Sequence, residues 1–133
     1  MHLKRDARAI CWSNYKTNFS QSEMGFANNM EDLTGFYISY SKLMNYWQKK
    51  FPNKIYDLVY ENLTINQEDE TRKLLKYCEL EWDDNCLEFH TNIRTVQTAS
   101  KDQVREKMYQ GSSEAWKKYE AYLKPLIKGL DFL

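Results

Sequence analysis

A chain of 133 residues suits one domain and leaves no room for two of ordinary size, and we read residues 1–133 as a single domain. Hydrophobic residues make up 42% and charged residues 29%, a globular composition that excludes a disordered chain. Nineteen basic and nineteen acidic residues cancel, which argues against nucleic acid as a partner but allows a small anion held by a few local cations. Cys11, Cys78 and Cys86 are odd in number and widely spaced, so neither a disulfide framework nor a metal site is expected. No apolar run approaches the ~20 residues of a membrane span. The expectation is a cytoplasmic protein with free thiols and no membrane partner.

In chain order, His2-Leu3-Lys4 reads as the tail of a strand, turning into a helix from about Ala7 to Phe19 with Ile10, Cys11 and Tyr15 on one face. Ser20 to Asn29 carries Gly25 and several Ser and Asn residues without a period, and predicts a loop. Leu33, Tyr37, Tyr40, Met44, Trp47 and Phe51 are spaced 4, 3, 4, 3, 4, which predicts a long central helix over 30–51. Asn29 is its expected N-cap, Glu31 and Asp32 sit in its first turn, and Pro52 stops it. Ile55 to Tyr60 predicts a strand of the buried type. A helix is expected from about Glu68 to Cys78, with Leu74, Leu75 and Cys78 inward, followed by an irregular stretch to Ser100. Lys101 to Met108 suggests a short helix. Ser112 or Ser113 is the expected cap of a final helix carrying Trp116, Tyr119, Leu123, Leu126 and Ile127. The inventory is mostly α with a minor β component, and the chain barely supplies neighbours for the strand at Ile55–Tyr60.

Three segments carry residues suited to chemistry. Arg5, just after the first strand, and Ser13, in the helix that follows, can face an anion above that helix's N-terminus; the plainer alternative is a solvated Arg and a filler Ser. Tyr60 in Tyr60-Glu61-Asn62-Leu63 stands where a strand ends, the usual place for a ligand in α/β folds, or is an ordinary strand-end Tyr. Thr98, Arg105, Tyr109 and Gly111 precede the last helix, where Gly111 would let backbone N–H groups approach a phosphate and Arg105 would pair with it. A glycine before a helix cap is also common punctuation.

Together these segments resemble the sulfotransferases that use 3′-phosphoadenosine 5′-phosphosulfate (PAPS), in particular bacterial forms associated with tetratricopeptide repeats. Leu3 to Ser13 is similar to the family's 3′-phosphate motif, with Arg5 and Ser13 as the phosphate-contacting pair. Tyr60 to Leu63 resembles the family's Tyr-Glu-Asp-Leu, whose Tyr lies near the adenine. Thr95 to Tyr119 looks like the closing segment that holds the adenine and the 3′-phosphate. The resemblance implies a remnant of the α/β, P-loop-like sulfotransferase domain, with PAPS or adenosine 3′,5′-bisphosphate as a weakly held ligand.

The departures have consequences. Ala9 stands where the family usually has an acidic residue, Asn62 replaces Asp, and Gln110 sits where many members place a basic residue. No Gly-x-x-x-x-Gly-Lys or Pro-x-x-Gly-Thr loop occurs in the 133 residues, and His2, expected to fray, and His90 make poor catalytic bases. The expectation is therefore a sulfotransferase-related chain, equivalent to the C-terminal portion of the domain, that is not catalytic by itself unless a second chain or a further segment supplies the loop. The alternative is a non-enzymatic helical protein for oligomerisation or partner binding. In either case a homo-oligomer, most simply a dimer, is expected to cover the strand edge or the apolar helix faces.

Overall fold

The computed structural model describes residues 1–19, 22–93, 95 and 105–131. It is mostly helical with a small parallel sheet, in the order β1 (His2–Lys4), α1 (Ala7–Lys16), α2 (Met30–Lys50), β2 (Asp57–Val59), α3 (Tyr60–Ile65), α4 (Gln67–Tyr77) and α5 (Lys124–Leu130). Stretches of 3₁₀ helix intervene, the longest being Ser112–Tyr122 and Ser22–Asn28. The chain divides into two compact units, one made of Met1–Lys4 and Tyr56–Gln110, the other of Arg5–Ile55 and Gly111–Leu133.

The second of these is the helical unit. Its core is two adjoining clusters: Cys11, Leu33, Leu126 and Leu130 with Tyr15, Phe26 and Tyr37 around them, and Ala9, Trp116 and Leu123 with Trp12 and Ile127. Met30 touches both. Full burial of a Leu such as Leu33 or Leu126 contributes about 1.5–3 kcal/mol each. The N-terminus of α2 forms as the sequence predicts: the Asn29 side chain accepts from the N–H groups of Glu31 and Asp32, at 2.8 and 3.1 Å. Leu33 is buried, Tyr37, Tyr40, Met44 and Trp47 are half-buried, and Phe51, beyond the last turn, is exposed. Beneath the first turns of α2, Gly129 of α5 comes so close to Thr34 that a Cβ there would lie 2.5 Å from Thr34 Cγ2.

Three expectations for this unit are corrected. The helix expected to reach Phe19 ends at Lys16, where Thr17 turns extended and its hydroxyl bonds the Ser13 carbonyl. Ser22–Asn28 is 3₁₀ with a break at Met24 and not a plain loop, held because Ala27 is buried and Phe26 stacks on Phe36 at 4.1 Å between centroids. The single last helix is a 3₁₀ run followed by α5, and its cap is Gly111 in the left-handed region (φ 88°), not a serine.

In the other unit β1 and β2 pair in parallel, His2 opposite Asp57, Leu3 opposite Leu58 and Lys4 opposite Val59. The strand expected over Ile55–Tyr60 is thus three residues long, because Tyr60 already opens α3, and β1 gives it the neighbour it needs. Only Leu58 in it is buried. α3 itself was not predicted; six residues show too little of a helical period. α4 holds Leu74 and Leu75 half-buried, but Cys78, expected inward, is exposed just past its end. Residues 101–104 of the short helix expected at Lys101–Met108 lie outside the described residues, and Lys107 and Met108 are not helical.

Candidate functional site

Chain direction places Arg5 between β1 and α1, and the structure fixes its side chain. Arg5 Nε donates to Ser113 Oγ at 3.0 Å, joining two segments 108 residues apart. Ser113 is the second residue of the 3₁₀ run that starts after Gly111. The left-handed backbone of Gly111 is what turns the chain into that run, and a Cβ there would meet nothing within 4 Å, so the space beside the glycine is open. Helix-like starts carry positive partial charge. A guanidinium, a hydroxyl and an open glycine turn at a helix start form a donor set that suits one phosphate.

The N-terminus of α1, where an anion is expected from the sequence, carries a cap of its own. The Asp6 carboxylate accepts from the Ala9 N–H at 2.8 Å and fills that position with its own negative charge. Ser13 stands on the second half of α1, about 10 Å along the axis from Asp6 at 1.5 Å per residue. Arg8, beside Arg5 in sequence, is structural: it pairs with Asp131 at 3.0 Å and lies 5.6 Å over the Trp116 ring. Arg5, Ser13 and Gly111 belong to the helical unit; Tyr60, Arg105 and Tyr109 belong to the other. There Tyr60 is the half-buried first residue of α3, while Arg105 and Tyr109 are exposed. Thr98 lies outside the described residues.

Residues 1–84 match the profile described as the sulfotransferase family. The chain belongs to that family. It is also 41% identical over 130 residues to an uncharacterized protein of Aquifex aeolicus (strain VF5), an alignment that covers 96% of this chain and 17% of that protein. The chain therefore spans less than a fifth of the relative's length. Arg5, Ser13 and Tyr60 fall inside the sulfotransferase match, whereas Thr98, Arg105, Tyr109 and Gly111 lie beyond it. The Arg5–Ser113 bond thus ties the matched region to the part of the chain past residue 84.

Two features of the sites were not foreseen from sequence. Ser113, read as a helix cap, is the partner of Arg5; only contact across the fold could reveal that. His2, expected to fray, is held in β1, with Nδ1 2.8 Å from Asp57 Oδ1, and Lys4 Nζ lies 3.5 Å from the other oxygen. Burial of Cys11, then the nearby Asp6 charge, pushes its thiol up to about 12, so it is no nucleophile. Among the described residues no three His, Cys, Asp or Glu gather in metal-binding fashion. None of the described helices is long and apolar enough to cross a membrane.

Proposed function

We propose that this chain carries the adenosine 3′-phosphate end of a sulfotransferase donor site for PAPS. The observation that supports it most is the Arg5–Ser113 bond, because the family resemblance assigns both of those segments to the same phosphate and they meet at 3.0 Å. Fixing Nε fixes the plane of the whole guanidinium, which favours bidentate recognition of a phosphate. In this reading Arg5 contacts the 3′-phosphate beside the Gly111 turn, with Ser13 as a second hydroxyl. Tyr60, Thr98, Arg105 and Tyr109 take the adenine and remaining phosphate roles that the resemblance gives them. Sulfuryl transfer needs donors preorganised around developing charge. These 133 residues contain no phosphate-cradling loop with a Lys, so the isolated chain does not turn over, and a second polypeptide or further segment completes the site. The three free cysteines suit a cytoplasmic setting.

Calorimetric titration with adenosine 3′,5′-bisphosphate tests this. Heat from the wild type that vanishes in Arg5→Ala is the expected result. Equal heats from both proteins would end the nucleotide-site reading, and sulfate transfer by the isolated wild type would end the non-catalytic one.

A second reading, a helical protein for assembly, is favoured by a specific feature: Leu43, Tyr46 and Phe51 at the far end of α2 are about half exposed. A dimer through apolar helix faces or the strand at Ile55–Tyr60 would cover such surface. Light scattering coupled to size exclusion gives the mass that decides it.

A further inference from the structure

Helix α2 carries a second stripe beside the one it turns to the core. Asp32, Phe36, Ser39, Leu43, Tyr46 and Lys50 are spaced 4, 3, 4, 3, 4, the rhythm of the Leu33 stripe moved back by one residue. One residue is about 100° of helical turn, so this stripe occupies a face of its own. All six of its residues are exposed, whereas Leu33 is buried and Tyr37, Tyr40, Met44 and Trp47 are half-buried. Its apolar members stay open to solvent, Phe36 at 55%, Leu43 at 53% and Tyr46 at 50%, even though Phe26 stacks on Phe36. Lys50 lies back along the stripe, its Nζ donating to the Tyr46 hydroxyl at 3.1 Å and sitting 5.5 Å over the Tyr46 ring.

The stripe is complementary to itself when reversed. About a midpoint at position 41, Asp32 mirrors Lys50, Phe36 mirrors Tyr46 and Ser39 mirrors Leu43. A second α2 laid antiparallel on the first therefore meets acid with base at both ends. Inside those ends ring meets ring, and at the centre a small side chain meets a large one, as interdigitation requires. Glu31 and Lys49 add the same signs beside the two ends. A parallel partner would instead set Asp32 against Asp32 and Lys50 against Lys50.

We propose that this face is the interface between two copies of the chain, their α2 helices packed antiparallel about a two-fold axis. Phe36, Leu43 and Tyr46 supply the burial, and the Asp32–Lys50 pairs fix direction and register. The stripe is about 27 Å long at 1.5 Å per residue. One helix pair of that length covers less than the ~800 Å² per partner of a standard interface, so the dimer is of the micromolar, reversible kind. An anionic lipid surface would suit Lys49 and Lys50 but would repel Glu31 and Asp32 at the other end of the same face. This inference rests on the assembly reading, whose surface and geometry it names, and owes nothing to the nucleotide site.

Sedimentation of four variants tests it. The wild type is expected to dimerise at tens of micromolar in low salt, and Leu43→Glu, at an exposed position, to be a monomer with wild-type circular dichroism. Asp32→Lys and Lys50→Asp each set like charges together at both ends, so each alone should raise the dissociation constant about tenfold. The two changes combined in one chain restore opposite charges in the antiparallel pairing and should return the constant to within about threefold of the wild type. A wild-type monomer at a hundred micromolar overturns both this interface and the assembly reading. A dimer that Leu43→Glu leaves intact overturns this interface alone. A combined variant weaker than either single one overturns the antiparallel pairing and with it the proposal. Should Leu43→Glu fail to fold, the charge series decides by itself. Binding of a monomeric wild type to phosphatidylserine vesicles, lost in Leu43→Glu, would assign the face to lipid and overturn the proposal.

Discussion

His2 and Asp57 face each other as the first register pair of the parallel sheet, and their side chains close the pair at 2.8 Å. Burial alone would raise the Asp57 carboxyl, but the hydrogen bond to His2 and the charge of Lys4 outweigh it and lower the carboxyl below its usual 3.8. A carboxylate lowered in the fold binds protons more readily in the unfolded chain, so its contribution is present above pH 3.8 and lost as pH falls through the folded value. The pair is partly exposed, so the contribution is about 0.5–1 kcal/mol. Asp57→Asn should cost that much in urea unfolding at pH 7 and progressively less as the pH falls below 3.8. A loss that stays constant as the pH falls would show that packing, not charge, is responsible.

Gly129 sets how closely α5 can approach α2. A Cβ placed there would lie 2.5 Å from Thr34 Cγ2, so Gly129→Ala must push the helices apart or force Thr34 off its rotamer. Overpacking of this kind costs about 1–3 kcal/mol, against a gain of about 1 kcal/mol from helix propensity. The net expectation is a loss of up to about 2 kcal/mol in thermal or chemical unfolding. Thr34→Ser removes the clashing methyl and keeps the hydroxyl that bonds the Met30 carbonyl, so Gly129→Ala should cost much less in that background. Equal costs in both backgrounds would place the strain elsewhere.

The three thiols should separate by reactivity. Cys11 is fully buried and titrates near 12, leaving on the order of one thiolate in ten thousand at pH 8. Cys78 is exposed. Iodoacetamide followed by peptide mass spectrometry is expected to modify Cys78 promptly and Cys11 only after urea. Rapid native modification of Cys11 would mean that the cluster it shares with Leu33, Leu126 and Leu130 opens readily.

How legible the fold was depended on how local its causes are. The α2 helix was readable because its cap, its acidic first turn and its 4-3 spacing all lie within Asn29–Phe51, and the cap and the helix form in place. The β1 strand and the parallel pairing were half-readable: the residues looked extended, but nothing local says that His2 meets Asp57. The 3₁₀ run at Ser112–Tyr122 was misread as α because Trp116 and Leu123 fit a helical period while the geometry is settled by packing on α1. For the site, Arg5 was visible in its motif, yet its partner Ser113 was taken for a cap, since a serine before a helix is the usual signal for one. Asp6, which fills the α1 N-terminus, was the local signal passed over there.

The phosphate reading makes a ranked prediction for the side chains around Arg5. With adenine stacking and one charge-assisted contact each worth about 1–3 kcal/mol, and ordering on association costing several, the wild-type affinity for adenosine 3′,5′-bisphosphate should be millimolar or weaker. Arg5→Ala removes the cation and should abolish the heat. Ser113→Ala leaves the cation but releases its Nε from the 3.0 Å bond, so the guanidinium must be ordered at the moment of binding. A loss of about 1 kcal/mol, or roughly fivefold in affinity, is expected from a hydrogen bond of this kind. Ser13→Ala, on the second half of α1, should weaken binding less than Arg5→Ala does. Raising salt should weaken binding by the wild type, because a charge-assisted phosphate contact is screened. If Ser113→Ala binds as tightly as the wild type while Arg5→Ala does not, Arg5 acts without its positioning partner. If Ser13→Ala alone abolishes binding, the phosphate sits over α1 and not at the Gly111 turn.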